Sequence, residues 1–231
     1  MKNKLNRLLN RIHNCHICPN MDTEKRLRLI NAVNFKSDVF IISQSLAENQ
    51  LRKSGVNFFD KNGCLGNTGK NLEKFLNMFY RTVYPSNEIY LSDSIIPKHK
   101  TDYVSIYNTE IIQCYPGKTQ KGDRLATKEE LLNCIRQSFV LEEINLIKPK
   151  LILLMGRQSA VTFFKYILKE KFQYKFSDYI DLIIQTEIPE KIINNLKVYV
   201  LPIQHASGAN PSFKKIFDSV LINKIKNILF C

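Results

Sequence analysis

Apolar residues along the chain fall into short unbroken runs and into helical repeats. Three runs rich in aliphatic and β-branched residues, at 38–42, 151–155 and 198–201, are typical of buried β-strands. Residues 88–91 and 106–112 are further strand candidates. Predicted strands are therefore spread over most of the chain.

Helical periodicity fills much of the sequence between these strands. The predicted helices are an N-terminal stretch around 5–12, followed by 70–80, 127–147, 159–168 and 213–229. The segment that starts at Thr127 opens with a capping box, because Glu130 stands three residues after Thr127. Since buried strands alternate with amphipathic helices, we predict an α/β fold, a three-layer α/β/α sandwich around a mostly parallel central sheet.

No internal repeat or low-complexity linker divides the 231 residues, a length that fits one domain. We predict a single domain over residues 1–231 that begins with a helix and a loop at about 1–25. The longest apolar runs, such as Leu151–Met155, are far shorter than the roughly 20 residues of a membrane-spanning helix. We therefore expect a cytoplasmic, monomeric protein, or a nuclear one if the cell has a nucleus.

The charge balance is strongly positive. Lys and Arg total 34 residues against 21 Asp and Glu, which gives a net charge of +13 at pH 7. Such an excess points to a polyanionic partner, nucleic acid first and an anionic membrane second. The alternative is that the Lys-, Asn- and Ile-rich composition reflects an AT-rich genome, so that part of the charge serves only solubility.

Polar loops follow three of the predicted strands, after Ile42, after Thr109 and after Leu201. In parallel sheets ligands bind beyond the carboxyl ends of the strands, so we expect these loops to share one functional rim. A lone histidine is more often structural than functional. His205, however, lies in a polar loop directly after a buried strand, which makes it a candidate functional residue.

Four of the six cysteines form a possible metal-binding set. Cys15 and Cys18 are separated by two residues, a spacing that lets two thiolates converge on one metal or cluster. Cys114 and Cys134 would complete a four-thiolate set, and the spacing does not separate zinc from an iron–sulfur cluster. The alternative is that these two are ordinary buried cysteines.

The order of these and other motifs resembles the uracil-DNA glycosylase superfamily, in particular its iron–sulfur-containing family-four branch. The resemblance covers the chain from Cys15 to about Ser212. The matching segments are Cys15-His-Ile-Cys18, Asp38-Val-Phe-Ile-Ile-Ser-Gln44, Gly55-Val-Asn-Phe58, Gly66-Asn-Thr-Gly69, Tyr107-Asn-Thr-Glu-Ile-Ile-Gln-Cys114, Pro149-Lys-Leu-Ile-Leu-Leu-Met-Gly156 and Leu201-Pro-Ile-Gln-His205-Ala-Ser207. Each segment alone is weak, but their order is specific. Residues 91–104 have no counterpart, so we predict an insertion there.

The resemblance implies a DNA glycosylase with DNA as its partner, no membrane partner and a uracil-DNA glycosylase-like fold. The cysteines would hold a structural [4Fe–4S] cluster, with zinc as the alternative occupant; they are Cys15, Cys18, Cys114 and Cys134. Phe58 would stack on the everted base and His205 would donate a hydrogen bond to the departing base. The predicted DNA-backbone contacts are Ser207, Asn210, Lys214 and Lys118.

Two positions depart from the family pattern. Gln44 replaces the acidic residue that positions the attacking water, and an amide orients water but is a poor general base. Glu48, four residues further on, is a possible substitute. Glu110 stands where the family reads the uracil edge with Asn, and with Ser43 it forms the predicted base-reading pair. An ionised carboxylate only accepts hydrogen bonds and pairs naturally with the cytosine amino group.

Three interpretations follow from these departures. The first is a DNA glycosylase that removes a modified cytosine-type base, with a role in defence against phage DNA. The second is a conventional uracil-DNA glycosylase of base-excision repair that tolerates Gln44 and Glu110. The third is a catalytically silent DNA-binding module that has kept the fold and the cluster.

Overall fold

The computed structural model describes residues 2–19, 21, 37–45, 66–79, 106–120, 122–207 and 210–230. The strand predicted at 88–91 and the insertion predicted at 91–104 lie outside these residues. The helices are α1 Lys2–His13, α2 Asn67–Asn77, α3 Lys128–Arg136, α4 Phe139–Ile147, α5 Arg157–Phe163, α6 Tyr179–Gln185 and α7 Ser219–Phe230. The strands are β1 Val39–Ser45, β2 Ile106–Ile112, β3 Lys118–Thr119, β4 Gly122–Asp123, β5 Leu151–Met155, β6 Glu190–Ile193 and β7 Leu196–Ile203.

The central sheet has five strands in the order β2-β1-β5-β7-β6. The first four run parallel, and β6 pairs antiparallel with β7 at the edge. In this register Ser43 lies beside Glu110, and Ile42 lies beside both Thr109 and Leu154. The predicted mostly parallel sheet is confirmed.

Alternating side chains of each strand serve two separate apolar layers. Val39 and Ile41 face a layer built with α2, α6 and α7. Phe40 and Ile42 face the opposite layer, built with α1, α3, α4 and α5. Because both faces of β1 are covered, its sequence is an unbroken apolar run rather than an alternating one. The predicted three-layer sandwich is confirmed.

The helix predicted over 127–147 is in fact two helices. Its start is as predicted, since Thr127 Oγ1 accepts from Glu130 N at 3.2 Å and Thr127 N donates to a Glu130 oxygen at 2.7 Å. The helix breaks before α4 because Ser138 adopts a left-handed conformation with φ of 57°. At the far end Lys148 has φ of 54° and Pro149 follows, so α4 stops there as expected.

The C-terminal helix predicted over 213–229 is also divided. A 3-10 helix covers Pro211–Phe217, and α7 starts at Ser219. The Asp218 carboxylate between them accepts from Val220 N at 2.8 Å and Leu221 N at 3.2 Å, which caps α7. Upstream, α5 starts at Arg157 and continues into a π-helical turn over Phe164–Leu168.

Helix α6 was not predicted, and neither was β6, which joins the predicted strand β7 in a β6–β7 hairpin. Its turn is formed by Asn194 and Asn195, which have φ values of 48° and 67°. Asparagine tolerates this left-handed backbone, which two-residue hairpin turns require.

Within the described residues, no helix combines the length and the apolar character that a membrane span needs.

Candidate active site

The carboxyl ends of the four parallel strands lie together at one end of the sheet, which we call the rim. The strands end there at Ser45, Ile112, Met155 and Ile203. The three strands whose following loops the sequence singled out all end at this rim. Each continues past the predicted start of its loop, to Ser45, Ile112 and Ile203, and the loop after Ser45 lies outside the described residues.

The loop after β7 is tied to neighbouring elements by side-chain hydrogen bonds. Gln204 is buried, and its Nε2 donates to the Phe176 carbonyl at 2.8 Å. Asn71 of α2 donates from Nδ2 to the Ala206 carbonyl at 2.9 Å. His205, which lies between these two anchored residues, is thereby held at the rim.

His205 is set up as a neutral hydrogen-bond donor. Its Nδ1 accepts from the backbone N–H of Ser207 at 3.2 Å, so in the neutral ring the proton resides on Nε2. The ring keeps exposed surface, yet neighbouring protein atoms partly desolvate it, and this burial lowers the pKa of His205 below its ordinary value of 6.5. The uncharged form with a proton on Nε2 is therefore favoured at neutral pH.

Gly156, which directly follows β5, lies next to the His205 ring. A Cβ at position 156 would lie 3.7 Å from His205 Cβ and Cδ2. Gly156 also has φ of 91°, a backbone conformation that favours glycine. The strand end therefore requires glycine for its conformation and brings two loops of the rim together.

The ends of β1 and β2 bring Ser43 and Glu110 side by side. The two residues are partners in the parallel register and are 8% and 1% exposed. Gln44 follows Ser43 along the strand, so pleat alternation directs its side chain to the other face of the sheet. Its Oε1 is buried and has no hydrogen-bond partner among the described residues.

Asn108 is a candidate that the sequence analysis missed. It lies two residues before Glu110 in β2, so both side chains belong to the same face of the strand. It is 1% exposed, and neither Nδ2 nor Oδ1 has a hydrogen-bond partner within the described part of the chain. The period-two pattern around Glu110 is the signal that would have pointed to it.

The opposite face of β2 is fixed by a buried carboxylate. Glu143 of α4 is fully buried and accepts from Tyr107 Oη and Thr109 Oγ1, each at 2.7 Å. Both hydrogen bonds are buried, where losing a partner would leave a polar group unsatisfied. They anchor the strand that carries Glu110, and nothing in the sequence around Glu143 marks it for this task.

The four cysteines of the predicted metal set lie in one region. They come from the loop after α1, the exit of β2 and the middle of α3; they are Cys15, Cys18, Cys114 and Cys134. Burial raises the pKa of the Cys134 thiol to about 12, and charge on the other three sulfurs acts in the same direction. The four sulfurs are therefore close enough to interact electrostatically.

The cysteine region contains the donor atoms of a thiolate metal site, but the side chains are not arranged around a common metal position. Asn133 donates from Nδ2 to the Cys18 sulfur at 3.5 Å. Across the described ranges, no three or more His, Cys, Asp or Glu side chains are arranged to hold a metal ion. Four thiols in one mostly apolar region still match the donor set of iron–sulfur and structural zinc sites.

A family model for the uracil DNA glycosylase superfamily matches residues 30–225, which is most of the chain. The chain belongs to the uracil DNA glycosylase superfamily. Members of this superfamily are DNA glycosylases and act on DNA. The match begins after Cys15 and Cys18, so the resemblance to the iron–sulfur branch stays a prediction. No curated protein matches the chain significantly.

In this superfamily member the predicted DNA-backbone residues occupy different settings. Lys118 and Lys214 are exposed, whereas Ser207 is half-buried next to His205. Asn210 uses its side chain within the protein, since Oδ1 accepts from Ser212 N at 3.1 Å and Nδ2 donates to Gln204 Oε1 at 3.3 Å. These contacts make Asn210 the cap of the 3-10 helix, and its role toward DNA stays a prediction.

Two predicted site residues lie outside the described residues. They are Glu48, the possible substitute for the missing acid, and Phe58, the predicted base-stacking residue. The structure therefore brings together His205, Ser207 and the end of β5 in one cluster, and Ser43 with Glu110 in another. Both clusters lie at the rim.

Proposed function

We propose that the protein hydrolyses the N-glycosidic bond of an everted base in DNA and leaves an abasic site. The observation that carries this proposal is the setting of His205, a neutral imidazole whose Nε2 is the protonated donor, at the end of a central parallel strand. Superfamily membership supplies the reaction class, and the side chains at the rim supply the chemistry.

In the proposed reaction, the bond from C1′ to the base nitrogen breaks and its electron pair leaves with the base. His205 Nε2–H donates to the oxygen on which negative charge develops, a contribution that needs a donor already held in place. The anchored loop around Gln204 and Ala206 provides this rigidity. An uncharged donor stabilises the anion without transferring its own proton.

Water then attacks C1′, and the sugar receives the hydroxyl while the displaced proton passes to solvent. Gln44 Oε1, which is buried and has no partner among the described residues, can accept a hydrogen bond from this water. An amide orients water but does not remove its proton at neutral pH. In this proposal Glu48 supplies the negative charge that Gln44 lacks.

The proposed target is a modified cytosine-type base, and the proposed role is defence against phage DNA that contains such a base. Glu110 supports this choice because a carboxylate accepts from an exocyclic amino group, as in the readout of cytosine N4 by acidic side chains. Ser43, its partner in register, offers a hydroxyl that both donates and accepts.

Asn108 favours a second candidate, conventional removal of uracil in base-excision repair. Its amide carries one donor group and one acceptor, which match the O4 and N3–H of uracil. Both groups lack partners within the described residues, and the side chain shares a strand face with Glu110.

The test is a panel of single-stranded and duplex oligonucleotides, each with one uracil, cytosine or modified cytosine, treated with alkali to cleave abasic sites. We expect cleavage at modified cytosine and little at uracil. Glu110→Asn is expected to shift cleavage toward uracil, whereas Glu129→Asn, at an exposed position on α3, leaves the preference unchanged.

Two outcomes of this panel would contradict the proposed substrate. Cleavage at uracil alone, lost in an Asn108→Ala variant, would establish the uracil candidate instead. DNA binding without cleavage at any base would establish a silent binding module and overturn the proposed activity.

We further propose that the four cysteines hold a [4Fe–4S] cluster, with zinc as the alternative. When bound, the cluster would cross-link the loop after α1, the exit of β2 and α3, and it would take no part in breaking the glycosidic bond. The proposal is supported by the position of four thiols in one mostly apolar region, those of Cys15, Cys18, Cys114 and Cys134.

A further inference from the structure

Aromatic and basic residues alternate between the π-helical turn and α6. Residues 171–176, which we call the aromatic segment, read Lys-Phe-Gln-Tyr-Lys-Phe. Cations interleaved with aromatic rings are typical of surfaces that bind single-stranded nucleic acid, where rings stack on bases and cations contact phosphates. None of the active-site roles proposed above uses this segment.

The C-terminal end of the aromatic segment lies at the rim. The Phe176 carbonyl accepts the hydrogen bond from Gln204 Nε2 at 2.8 Å, and Gln204 directly precedes His205. The segment therefore adjoins the residue that faces the departing base in the proposed reaction. A strand of DNA that delivers a nucleotide to His205 passes close to it.

The ring of Tyr174 is half-exposed and packs against other aromatic side chains of the protein. Its side chain is 52% exposed, and its ring lies 6.0 Å from Phe172 and 5.3 Å from Tyr179, centroid to centroid. Phe172 is itself packed between Phe164 at 5.1 Å and Tyr179 at 5.2 Å. Because the ring is already held by its neighbours, stacking a base on it costs little conformational entropy.

The charge around Tyr174 favours a polyanion. Lys171 and Lys175 are exposed on either side of it, and Lys214 and Lys215 follow on the neighbouring 3-10 helix. Three acidic groups also lie close by, each beside a lysine, so Lys175 and Lys215 are partly neutralised and the excess positive charge rests on Lys171 and Lys214. These pairs are Asp178 with Lys175 at 3.5 Å, Asp181 with Lys215, and Glu170 with Lys191 at 2.6 Å.

We propose that the aromatic segment binds an unpaired stretch of the DNA strand beside the everted nucleotide. Tyr174 stacks on a flanking base, and Lys171 and Lys175 contact its phosphates. This inference rests on the proposed function, because it assigns the strand to a glycosylase substrate. It specifies that the enzyme prefers target bases in single-stranded or locally opened DNA over those in a closed duplex.

The test measures binding separately from excision. A single-stranded oligonucleotide without a cleavable base carries the fluorescent base 2-aminopurine, and its quenching reports stacking while anisotropy reports affinity. For Tyr174→Ala we expect loss of the quenching and a fall in affinity of about 5-fold or more, the scale of one base–aromatic stack. Tyr174→Phe keeps the ring and is expected to retain both.

Two further variants complete the design. Lys175→Gln is expected to reduce the slope of log affinity against log salt by about 0.7, the value for one phosphate contact on a single strand. Tyr166→Ala is the matched control. Tyr166 is also an aromatic residue beside a lysine, since Lys165 Nζ lies 5.1 Å from the centroid of its ring. It lies in the π-helical turn after α5, a helix that starts at the rim and leads away from it. We expect it to change neither quenching nor affinity.

The result that overturns the inference is unchanged single-strand affinity and quenching in a folded Tyr174→Ala protein. Equal losses in the Tyr166→Ala control would also overturn it, since the effect would then not belong to the segment. If excision fails on every base while the Tyr174 dependence persists, the single-strand contact stands and the proposed activity falls. The melting temperature of each variant shows whether it has folded.

Discussion

The tautomer of His205 is decided by one backbone hydrogen bond. The Ser207 N–H occupies Nδ1 at 3.2 Å, which leaves Nε2 as the protonated atom. An imidazolium would lose this interaction, because both of its nitrogens are donors. The hydrogen bond and the partial desolvation therefore both favour the neutral ring.

This setting predicts a pH dependence. Since the pKa of His205 is lowered from 6.5, we expect its ring proton resonances to titrate below that pH and the excision rate to show no step at 6.5. Between the two pKa values the unfolded chain binds the extra proton, so stability falls as the pH drops through 6.5. A titration midpoint at or above 6.5, measured by NMR, would contradict the assignment.

A His205→Gln variant provides the control for this titration. Glutamine keeps a side-chain donor but has no titratable group in this range. Any step in the rate profile below pH 6.5 that belongs to His205 is therefore expected to disappear in the variant. A step that persists would belong to another group.

At the scale of elements, the cysteines bridge parts of the chain that are distant in sequence. Cys15 and Cys18 follow α1, Cys114 follows β2, and Cys134 lies within α3. A group bound to all four would hold these three elements together. Its loss would release the loop after α1, because that loop contributes two of the four sulfurs.

We therefore expect Cys134→Ala to lower the iron content of the purified protein from about four atoms per chain and to reduce its visible absorbance and melting temperature. Cys231→Ser, at the terminal residue outside the proposed set, is the matched control and is expected to retain the iron. Metal analysis that finds one zinc and no iron in the wild type would replace the cluster by a zinc site. Absence of both metals would contradict the proposal.

Some helix boundaries are set by neighbouring residues in the sequence, and others depend on the tertiary structure. The capping box at Thr127 and the stop at Pro149 were predictable, because each acts through neighbouring residues. The break between α3 and α4 at Ser138 was not predictable from the sequence, because the apolar helical repeat continues across it. The left-handed residue allows α3 to carry Cys134 while α4 turns its own face, with Glu143, toward β2.

At the scale of the molecule, the charge of +13 is expected to set affinity for DNA rather than choice of base. Each phosphate contact contributes about 0.9 to the slope of log affinity against log salt on duplex DNA. We expect Lys118→Gln and Lys214→Gln each to reduce this slope without altering which base is removed. Binding measured by anisotropy over a range of salt concentrations tests this.

Lys197→Gln is the control for the salt series. Lys197 is exposed near the start of β7, at the end of the sheet opposite the rim. Its Nζ lies 3.3 Å from Glu190 Oε1. We expect its substitution to leave the slope unchanged. An equal effect there would show that the whole surface, and not the rim, contacts DNA.

The sequence by itself determined the fold class, the parallel sheet and the end of the sheet at which the candidate site lies. These follow from hydrophobic period and from the direction of successive strands, which are local properties of the chain. The ordered motifs also determined the family. Only the tertiary structure decided which polar side chains are paired and which are not. It showed that Asn210 caps the 3-10 helix and that Asn108 keeps two groups without partners in the described residues. It also showed that Phe176, two residues after Tyr174, is hydrogen-bonded to Gln204 next to His205. Such pairings join residues far apart in sequence, so no local pattern contains them.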